Sequence, residues 1–427
     1  MPGVSRRGFL AGAAGAAGAA GAAWTSMLLA GCDDAPAGEE SNPAPNNEPL
    51  TGAAVAFDGA TQAGIRTPTQ AHLNLAAFNL RDGVDAAGVR RLMRLWTEDA
   101  RALASGRNPL SSLEPEMVEW PANLTITCGF GPRVFALAAP DAAPAWLGGI
   151  PAMRRDALRP EWDQSDLVLQ ICADDPVMCA WALRHMTRAG VDYARIAWLQ
   201  QGFMNAYGSI PKGRTPRNLF GQVDGTVNPS TDDDFAQQVF NPDGSSSLVV
   251  RRIAMDLDGW ERLDRASREQ VVGRRLDDGA PLTGHDEHDA PDLSARDEFG
   301  LPVIDPNSHM ARAMPPADHP EQRFLRRPYN YNLPPAPGSE SLSDAGLIFL
   351  AYQKDPEAQF TPVLRRLMEA DRLNEWTTHI GSAVYWLPPG TAQPGTAQPG
   401  ASQPGASQER GGGDAYWGET VLAGGRG

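Results

Sequence analysis

The sequence predicts an α+β protein of two halves that repeat one order of elements: strand, helix, strand, strand, helix, strand. Three observations predict it: short apolar runs with a period of two, amphipathic segments with a period near 3.6 between them, and recurrence of the same order further along the chain. A length of 427 residues is too great for one small domain and suits two of moderate size. We expect the halves to comprise residues 61–215 and 216–388.

The first half shows both periods clearly. Asp85 is expected to cap a helix, because its carboxylate can accept from the first backbone N–H groups and apolar residues follow at three- and four-residue spacing. Between Leu124 and Phe130 apolar and polar residues alternate, as in a half-buried strand. Pro176 opens a second helix, since proline is favoured at the first helical position. The predicted strands cover residues 73–80, 124–130, 167–172 and 193–199.

The second half repeats the order at larger spacing. Asp258 is expected to cap a helix over residues 260–272, and Pro356 to start a helix with a clear apolar face. The predicted strands cover residues 248–257, 329–333, 347–352 and 383–387. Two copies of this order indicate two ferredoxin-like halves with antiparallel sheets.

The first 32 residues are predicted to be a twin-arginine export signal. Arg6 and Arg7 precede an Ala/Gly run over residues 11–23 that is too weakly apolar to hold a bilayer. The small residues before Cys32 resemble a bacterial lipobox, which implies cleavage there and lipid attachment to the thiol. A plain cleaved signal with an incidental cysteine is the alternative. We therefore expect export by the twin-arginine route and a place at the cell surface or in the periplasm, with a lipid anchor in the membrane.

Low-complexity sequence flanks the folded body on both sides. Residues 33–60 are rich in Pro, Ala, Asn and Glu and are predicted to be a disordered tether. Residues 389–413 contain five-residue repeats of the types PGTAQ and PGASQ, which cannot bury a core and are expected to form an exposed insertion. The tail over residues 414–427 regains aromatic and aliphatic residues and is expected to dock on the body.

The net charge and the cysteines argue against some kinds of partner and of metal site. A net charge of -15 argues against nucleic acid as a partner. Beyond Cys32 the cysteines are Cys128, Cys172 and Cys179, with no CxxC spacing, so a zinc or iron–sulfur site is not expected. Their odd number on predicted strands and a helix favours buried free thiols, with pairing of Cys172 and Cys179 left open.

Three segments of the second half carry side chains suited to chemistry. A loop over residues 219–229 holds Asp224 between glycines, so a tight backbone presents its carboxylate, although an ordinary Asp-Gly turn would have the same sequence. The long connection over residues 274–324 carries His309, and Arg326 follows it at the start of a predicted strand. Long loops in compact domains are usually functional or disordered. The three side chains could converge on one cavity between the halves.

These segments, in this order, resemble the dye-decolorizing peroxidases, which are heme enzymes of two ferredoxin-like halves. The resemblance rests on the Gly-x-x-Asp-Gly loop, on Ser308–His309 and on Leu325–Arg327, and it extends over most of residues 61–388, including 127–131 and 346–353. Among the branches of the family, the chain is most similar to the exported deferrochelatase/peroxidase branch associated with bacterial iron uptake. The resemblance implies heme b, held in the C-terminal half.

The resemblance also implies residue roles. Asp224 would be the acid–base group above the heme and Arg326 the distal arginine that stabilises developing negative charge. His309 would be the axial ligand of the heme iron, and Asp355 a candidate hydrogen-bond partner for its other nitrogen. The residues that would line the heme are Gly225, Thr226 and Val227.

The segment after His309 departs from the family pattern. Members commonly have Arg two residues after the ligand and Asn-Pro-Arg from five residues after it, whereas this chain has Ala311 and 314–316 reads Met-Pro-Pro. Contacts to the heme propionates are therefore left open. The candidate substitutes are Arg312, Arg214 and Arg217. The histidines outside the familial segment, His72, His185, His285, His288, His319 and His379, are expected to be solvated.

The resemblance implies a peroxidase that reduces hydrogen peroxide and oxidises small aromatic, phenolic or dye-like reductants. A second hypothesis is a heme- and iron-handling lipoprotein that works with an iron permease system. A third is a purely structural lipoprotein that binds no heme. The physiological reductant and homo-oligomer formation are not determined by the sequence.

Overall fold

The structure is a computed structural model that describes residues 49–392 and 414–423. Its strands are β1 (His72–Leu80), β2 (Thr125–Phe130), β3 (Leu167–Ala173), β4 (Ala194–Phe203), β5 (Ser246–Met255), β6 (Leu325–Arg326), β7 (Tyr329–Leu333), β8 (Asp344–Gln353) and β9 (Thr377–Leu387). Its α-helices are α1 (Ala86–Ala104), α2 (Pro132–Ala138), α3 (Pro176–Ala189), α4 (Asp232–Gln238), α5 (Leu257–Glu261), α6 (Arg265–Val272), α7 (His309–Ala313), α8 (Phe360–Ala370) and α9 (Glu419–Leu422). Short 3-10 helices cover Pro115–Met117, Pro140–Ala142, Ala145–Gly148, Pro160–Trp162 and Arg372–Glu375.

Each half forms an antiparallel sheet with the strand order of a ferredoxin-like fold. The order is β2-β3-β1-β4 in the first half and β9-β5-β8-β7 in the second, where β6 also pairs with β8. The two sheets meet at two seams, and each seam is a single residue pair: Phe130 with Trp386, and Phe203 with Asn330. The described strands thus close into one ring of two sheets. The predicted fold class is confirmed.

The core has an inner layer between the sheets and two outer layers. The inner layer interleaves apolar side chains of both halves, such as Leu75 and Leu248. Helices α1, α2 and α3 cover the outer face of the first sheet. On the outer face of the second sheet, α5 and α6 pack in one cluster and α8 in another, and Phe349 of β8 touches both. The loop over residues 219–229 packs on this outer face through Leu219 and Phe220, so the expected position between the halves is wrong.

The predicted strands and the helices at Asp85 and Pro176 are confirmed, with shifts of a few residues at their ends. The single helix predicted over residues 260–272 is wrong, because the structure has α5 and α6 there, capped by Asp256 and Asp264. The Asp264 carboxylate accepts from the Ser267 N–H and so begins a new helix.

Helix α8 begins at Phe360 rather than at the predicted Pro356. The cause is Asp355, whose carboxylate accepts from the backbone N–H groups of Glu357 and Ala358 and holds a separate turn first.

Residues at the end of the predicted tether belong to the folded body. Phe57 is buried against Trp417, with ring centroids 5.5 Å apart. Asp58 pairs with Arg101 of α1 at 2.8 Å. The prediction of disorder up to residue 60 is therefore wrong, because these side chains find apolar and ionic partners. The expected docking of the tail is confirmed, since Trp417 and Leu422 are buried in the outer core of the first half.

Several predicted segments lie outside the described residues: the signal with Cys32, residues 33–48 of the tether and the repeats over residues 393–413. Within residues 49–392 and 414–423, no helix combines the length and the apolar character that a membrane crossing requires.

The three cysteines of the body are free and buried, as predicted. Cys172 belongs to the inner layer and Cys179 to the outer layer of the first half, so the two side chains lie on opposite faces of the first sheet. Burial raises the pKa of the Cys128 thiol and of the Cys179 thiol. Such thiols are poor nucleophiles, since the thiolate is the reactive form.

Candidate active site

The Asp224 loop is fixed to the outer core of the second half by Phe220. The Phe220 ring lies 4.7 Å from the Trp260 ring, and Trp260 Nε1 donates to the Phe220 carbonyl at 3.1 Å. Gly221 has a φ of +79° and closes a turn, while Gly225 directly after the aspartate has a φ of +133°. Residues with a Cβ rarely adopt these conformations. The glycines noted in the sequence therefore determine where the carboxylate points.

Asp224 and Arg326 form an ion pair. Asp224 Oδ1 lies 3.4 Å from Arg326 Nη1, and the two side chains are 12% and 25% exposed. Asn218 Nδ2 donates to the other carboxylate oxygen, Oδ2, at 3.3 Å. The predicted acid–base group and the predicted arginine are thus brought together, with a proton acceptor beside a permanent positive charge.

Asn228 ties the Asp224 loop to the strand that carries Arg326. Its Nδ2 donates to the Arg326 carbonyl at 2.7 Å, and its Oδ1 accepts from the Arg326 N–H at 2.9 Å. Strand β6 is only two residues long and has few ladder bonds of its own. The amide therefore sets the separation of the aspartate and the guanidinium. Asn228 was not among the predicted site residues, because its partner is distant in sequence.

Replacing Asn228 with alanine should lower kcat/KM for peroxide about tenfold, because two hydrogen bonds worth ~1 kcal/mol each position Arg326. Asn228→Asp keeps the acceptor for the Arg326 N–H and should recover part of the loss. Steady-state rates over a range of peroxide concentrations, with the melting temperature measured beside them, check this. Asn241→Ala, which removes a local side-chain bond to Ser245 elsewhere in the same half, is the matched control. Equal rates in the two alanine variants would contradict the positioning role.

His309 is held by a carboxylate, but not by the predicted one. It is the first residue of α7, and its Nδ1 lies 2.6 Å from Asp371 Oδ2. Asp371 is the C-terminal cap of α8 and is 4% exposed. The assignment of Asp355 is wrong, because that carboxylate is occupied by the turn before α8. The two aspartates flank the same helix, and the packing of α8 against α7 brings Asp371 to the imidazole.

The charges around His309 act on it from two sides. Burial acts to lower the pKa of His309, but the charge of Asp371 and the hydrogen bond to it raise the pKa above its ordinary value. Arg326 lowers and Asp224 raises the same pKa. The Asp224–Arg326 pair is therefore close enough for its charges to influence the imidazole.

This arrangement fits the heme that the sequence resemblance implies. Because His309 Nδ1 is engaged by Asp371, Nε2, which has no hydrogen-bond partner in the described part of the chain, would be free to hold the heme iron. The His309 side chain is 33% exposed, so a ligand can approach it. Ile253 and Phe349 lie on the central strands β5 and β8 yet are only partly buried, and both border the outer core of this half. A flat apolar ligand would complete their burial.

The other residues predicted to line the heme or to bind its propionates differ in their surroundings: some are bonded to protein groups, and Val227 is exposed. Thr226 Oγ1 donates to Glu287 Oε2 at 3.2 Å, and the Val227 side chain is 61% exposed. Arg217 donates to backbone carbonyls of its own loop and of the 276–277 turn. Arg312 donates to the Arg366 carbonyl and to Glu369. These two arginines are held by protein groups and hold together the loops around the site.

Two of the histidines expected to be solvated are not. His185 is buried between α1 and α3, with Nε2 2.9 Å from Asp99 Oδ2. His379 Nδ1 accepts from Arg251 Nε at 3.0 Å, and burial followed by the charge of Arg251 lowers the pKa of His379 far below its usual value. The expectation failed for His185 because it faces inward from α3, whereas His379 on β9 and His72 on β1 are half-buried. The exposed ones, as expected, are His285, His288 and His319.

Sequence comparison with known proteins agrees with this site. The family model described as Dyp-type peroxidase, N-terminal, matches residues 62–204, and the one described as Dyp-type peroxidase, C-terminal, matches residues 215–392. The dye-decolorizing peroxidase of Thermobifida fusca is 38% identical over 412 residues, which cover 90% of this chain and 94% of that protein. The deferrochelatase of Escherichia coli is 32% identical over 359 residues, which cover 78% of this chain and 84% of that protein.

Solved structures give the same result. A DyP-type peroxidase from Cellulomonas bogoriensis superposes with a TM-score of 0.77 at 46% identity, covering 80% of this chain and 96% of that one. An oxyferrous complex of DtpA from Streptomyces lividans superposes with a TM-score of 0.78 at 34% identity, covering 87% of this chain and 98% of that one. With both halves matched by family models and with the Asp224–Arg326 and His309–Asp371 pairs in place, the chain belongs to the Dyp-type peroxidase family.

Proposed function

We propose that this heme peroxidase uses hydrogen peroxide to oxidise aromatic, phenolic or dye-like reductants at the cell surface. The observation that carries the proposal is the pairing of Asp224 with Arg326, at 3.4 Å, near a histidine that Asp371 orients. The 38% identity to a dye-decolorizing peroxidase supports the reductant class.

The chain's own residues have distinct tasks in this reaction. Heme, when bound, supplies the iron that takes up peroxide and the oxidising equivalents that pass to the reductant. The Asp224 carboxylate accepts the proton of one peroxide oxygen and returns it to the other, which leaves as water. The Arg326 guanidinium offsets the negative charge that develops as the O–O bond breaks. The hydrogen bond between His309 Nδ1 and Asp371 makes the imidazole a stronger electron donor.

The proposed place of action is supported by the N-terminal sequence. The twin-arginine pair and the lipobox-like residues before Cys32 support export of the folded protein and anchoring through an acylated Cys32. Residues 33–48 would then connect the anchor to the body, on the outer side of the membrane or in the periplasm.

A second candidate function is removal of iron from heme, in cooperation with an iron permease. It is favoured by the 32% identity to a protein named deferrochelatase. Its signature would be metal-free porphyrin, which fluoresces, whereas the peroxidase function leaves the porphyrin metallated and consumes a dye.

One experiment separates the two functions. The heme-loaded full chain is incubated with an anthraquinone dye and hydrogen peroxide, and in parallel with heme and a reductant, while dye absorbance and porphyrin fluorescence are recorded. We expect peroxide-dependent loss of the dye without porphyrin fluorescence. Fluorescence without dye turnover would overturn the proposal in favour of iron removal, and the absence of both signals would overturn both functions.

A further inference from the structure

An exposed apolar patch lies on the first half, far in sequence from the heme-site residues. It comprises Leu110, Leu113, Met117 and Trp120 in the loop between α1 and β2, and Val177 in the first turn of α3. Leu110 and Leu113 expose essentially their whole surface, and Val177 and Trp120 are 60% and 56% exposed. Apolar side chains gathered on a surface mark a contact with another apolar phase or partner.

The patch continues along the outer face of α3. A groove of about 400 Å³ is lined by Met117 and by Pro176, Val177, Ala180, Trp181 and Arg184. Arg188 Nη2 donates to the Ser111 carbonyl at 3.3 Å, which holds the loop beside the helix. The buried Nε1 of Trp181 has no hydrogen-bond partner in the described part of the chain. The loop and the helix therefore present one apolar surface, with Arg188 at the loop and Arg184 at the groove.

The described chain starts beside this patch. The Asn123 N–H donates to the Ala53 carbonyl at 2.9 Å, and Asn123 Nδ2 donates to Asp174 Oδ2 at 2.8 Å. Trp120 is three residues before Asn123, and α3 begins two residues after Asp174. The segment at residues 49–53 thus enters the body next to both parts of the patch. Residues 33–48, which separate it from Cys32, span at most about 55 Å even when fully extended.

We propose that this patch docks on the bilayer surface to which Cys32 anchors the chain, with Leu110, Leu113 and Trp120 inserted among the acyl chains near the headgroups. The inference rests on the proposed lipid anchoring, and it adds which face of the folded body is turned towards the membrane. Leucine and tryptophan are the side chains that monotopic contacts use. Arg188, whose guanidinium lies at Ser111 between the two leucines, and Arg184, which lines the groove, can extend their heads to lipid phosphates.

The charges within the loop select the kind of bilayer. Glu114, Glu116 and Glu119 alternate with the apolar residues and are exposed. They oppose a strongly anionic surface, so the surface that fits is zwitterionic. A second copy of the chain fits less well, because a two-fold contact would bring each glutamate near those of the partner.

The test uses the full chain with Cys32→Ser, so that no acyl group contributes. Flotation with phosphatidylethanolamine/phosphatidylcholine vesicles is compared between this protein and the same protein carrying Leu110→Glu and Leu113→Glu. The matched control carries Leu293→Glu and Leu301→Glu, which are exposed leucines of the second half. We expect the patch variant to bind the vesicles at least about tenfold more weakly, because two apolar side chains no longer enter the lipid. The control and the dye turnover of all variants should be unchanged.

Three results would overturn the docking. One is equal flotation of the patch variant and the control. Another is binding that requires anionic lipid and disappears in high salt. A third is a dimer in sedimentation equilibrium that the patch variant alone loses, which would assign the patch to a second copy. Acylation is read separately, from the mass of Cys32 peptides in membranes of the native host. Its absence would remove the proposed anchor without altering the vesicle result.

Discussion

Replacing Arg326 with leucine should lower peroxide-dependent dye turnover about 10²–10³-fold, the typical loss for one electrostatic stabiliser of a transition state. The side chain lies 3.4 Å from Asp224 and supplies the positive charge at the carboxylate. Asp224→Asn should cost about 10²–10⁴-fold, because the amide cannot accept and return the proton. Stopped-flow and steady-state rates on the heme-loaded full chain measure both effects.

The control for this pair is Arg323→Leu. Arg323 lies in the same segment and is exposed, and among residues 49–392 and 414–423 only its backbone makes hydrogen bonds, with Glu321 and Gln359. Its variant should turn over dye like the wild type. If Arg326→Leu and Arg323→Leu had the same rate, the arginine beside Asp224 would have no role in breaking the O–O bond.

Replacing Asp371 with asparagine should weaken heme retention about 10–100-fold, as is typical when a group that orients a metal ligand is lost. The reduction potential of the bound heme should rise as well, because a neutral amide makes the imidazole a weaker donor. Asn can still accept the Leu373 N–H that Asp371 caps at 2.8 Å, so the start of the 3-10 helix Arg372–Glu375 should persist. Heme transfer to apomyoglobin and spectroelectrochemistry provide the two measurements.

Asp355→Asn is the control for Asp371, because it flanks the same helix at its other end without contacting His309. Its variant should keep the wild-type heme affinity and potential. A loss of heme affinity in both variants would indicate a general effect of loosening α8. A loss in Asp355→Asn alone would mean that Asp355, the aspartate expected from the sequence, is the partner of His309.

The sequence was sufficient where the pattern is local. Alternation and helical spacing locate the strands other than β6 and the helices α1, α3 and α8, because each of these elements presents one face to a core layer. The Asp224 loop could be recognised from its glycines. In the structure Gly221 and Gly225 adopt positive φ values there, which is why the loop needs glycine at these positions. His309 and Arg326 were singled out by the long loop and the strand start that carry them, but only the resemblance implied their roles, because nothing in their spacing indicates that they face Asp224.

The parts that failed depend on contacts between distant segments. Asp371 and Asp355 are equally plausible partners of His309 in the sequence, and only the packing of α8 on α7 distinguishes them. Asn228 holds the backbone of a residue almost a hundred positions away. Phe57 was assigned to a tether because its partner, Trp417, lies near the other end of the chain. Such pairings cannot be read from periodicity.

The central claim is that His309 binds heme on one side while Asp224 and Arg326 act on peroxide from the other. The visible spectrum of the full chain loaded with heme, recorded before and after one equivalent of hydrogen peroxide, tests it most directly when wild type and His309→Ala are compared. We expect a Soret band that shifts with peroxide in the wild type, and loss of the retained heme or of the shift in the variant. Identical spectra and identical shifts in the two proteins would contradict the claim.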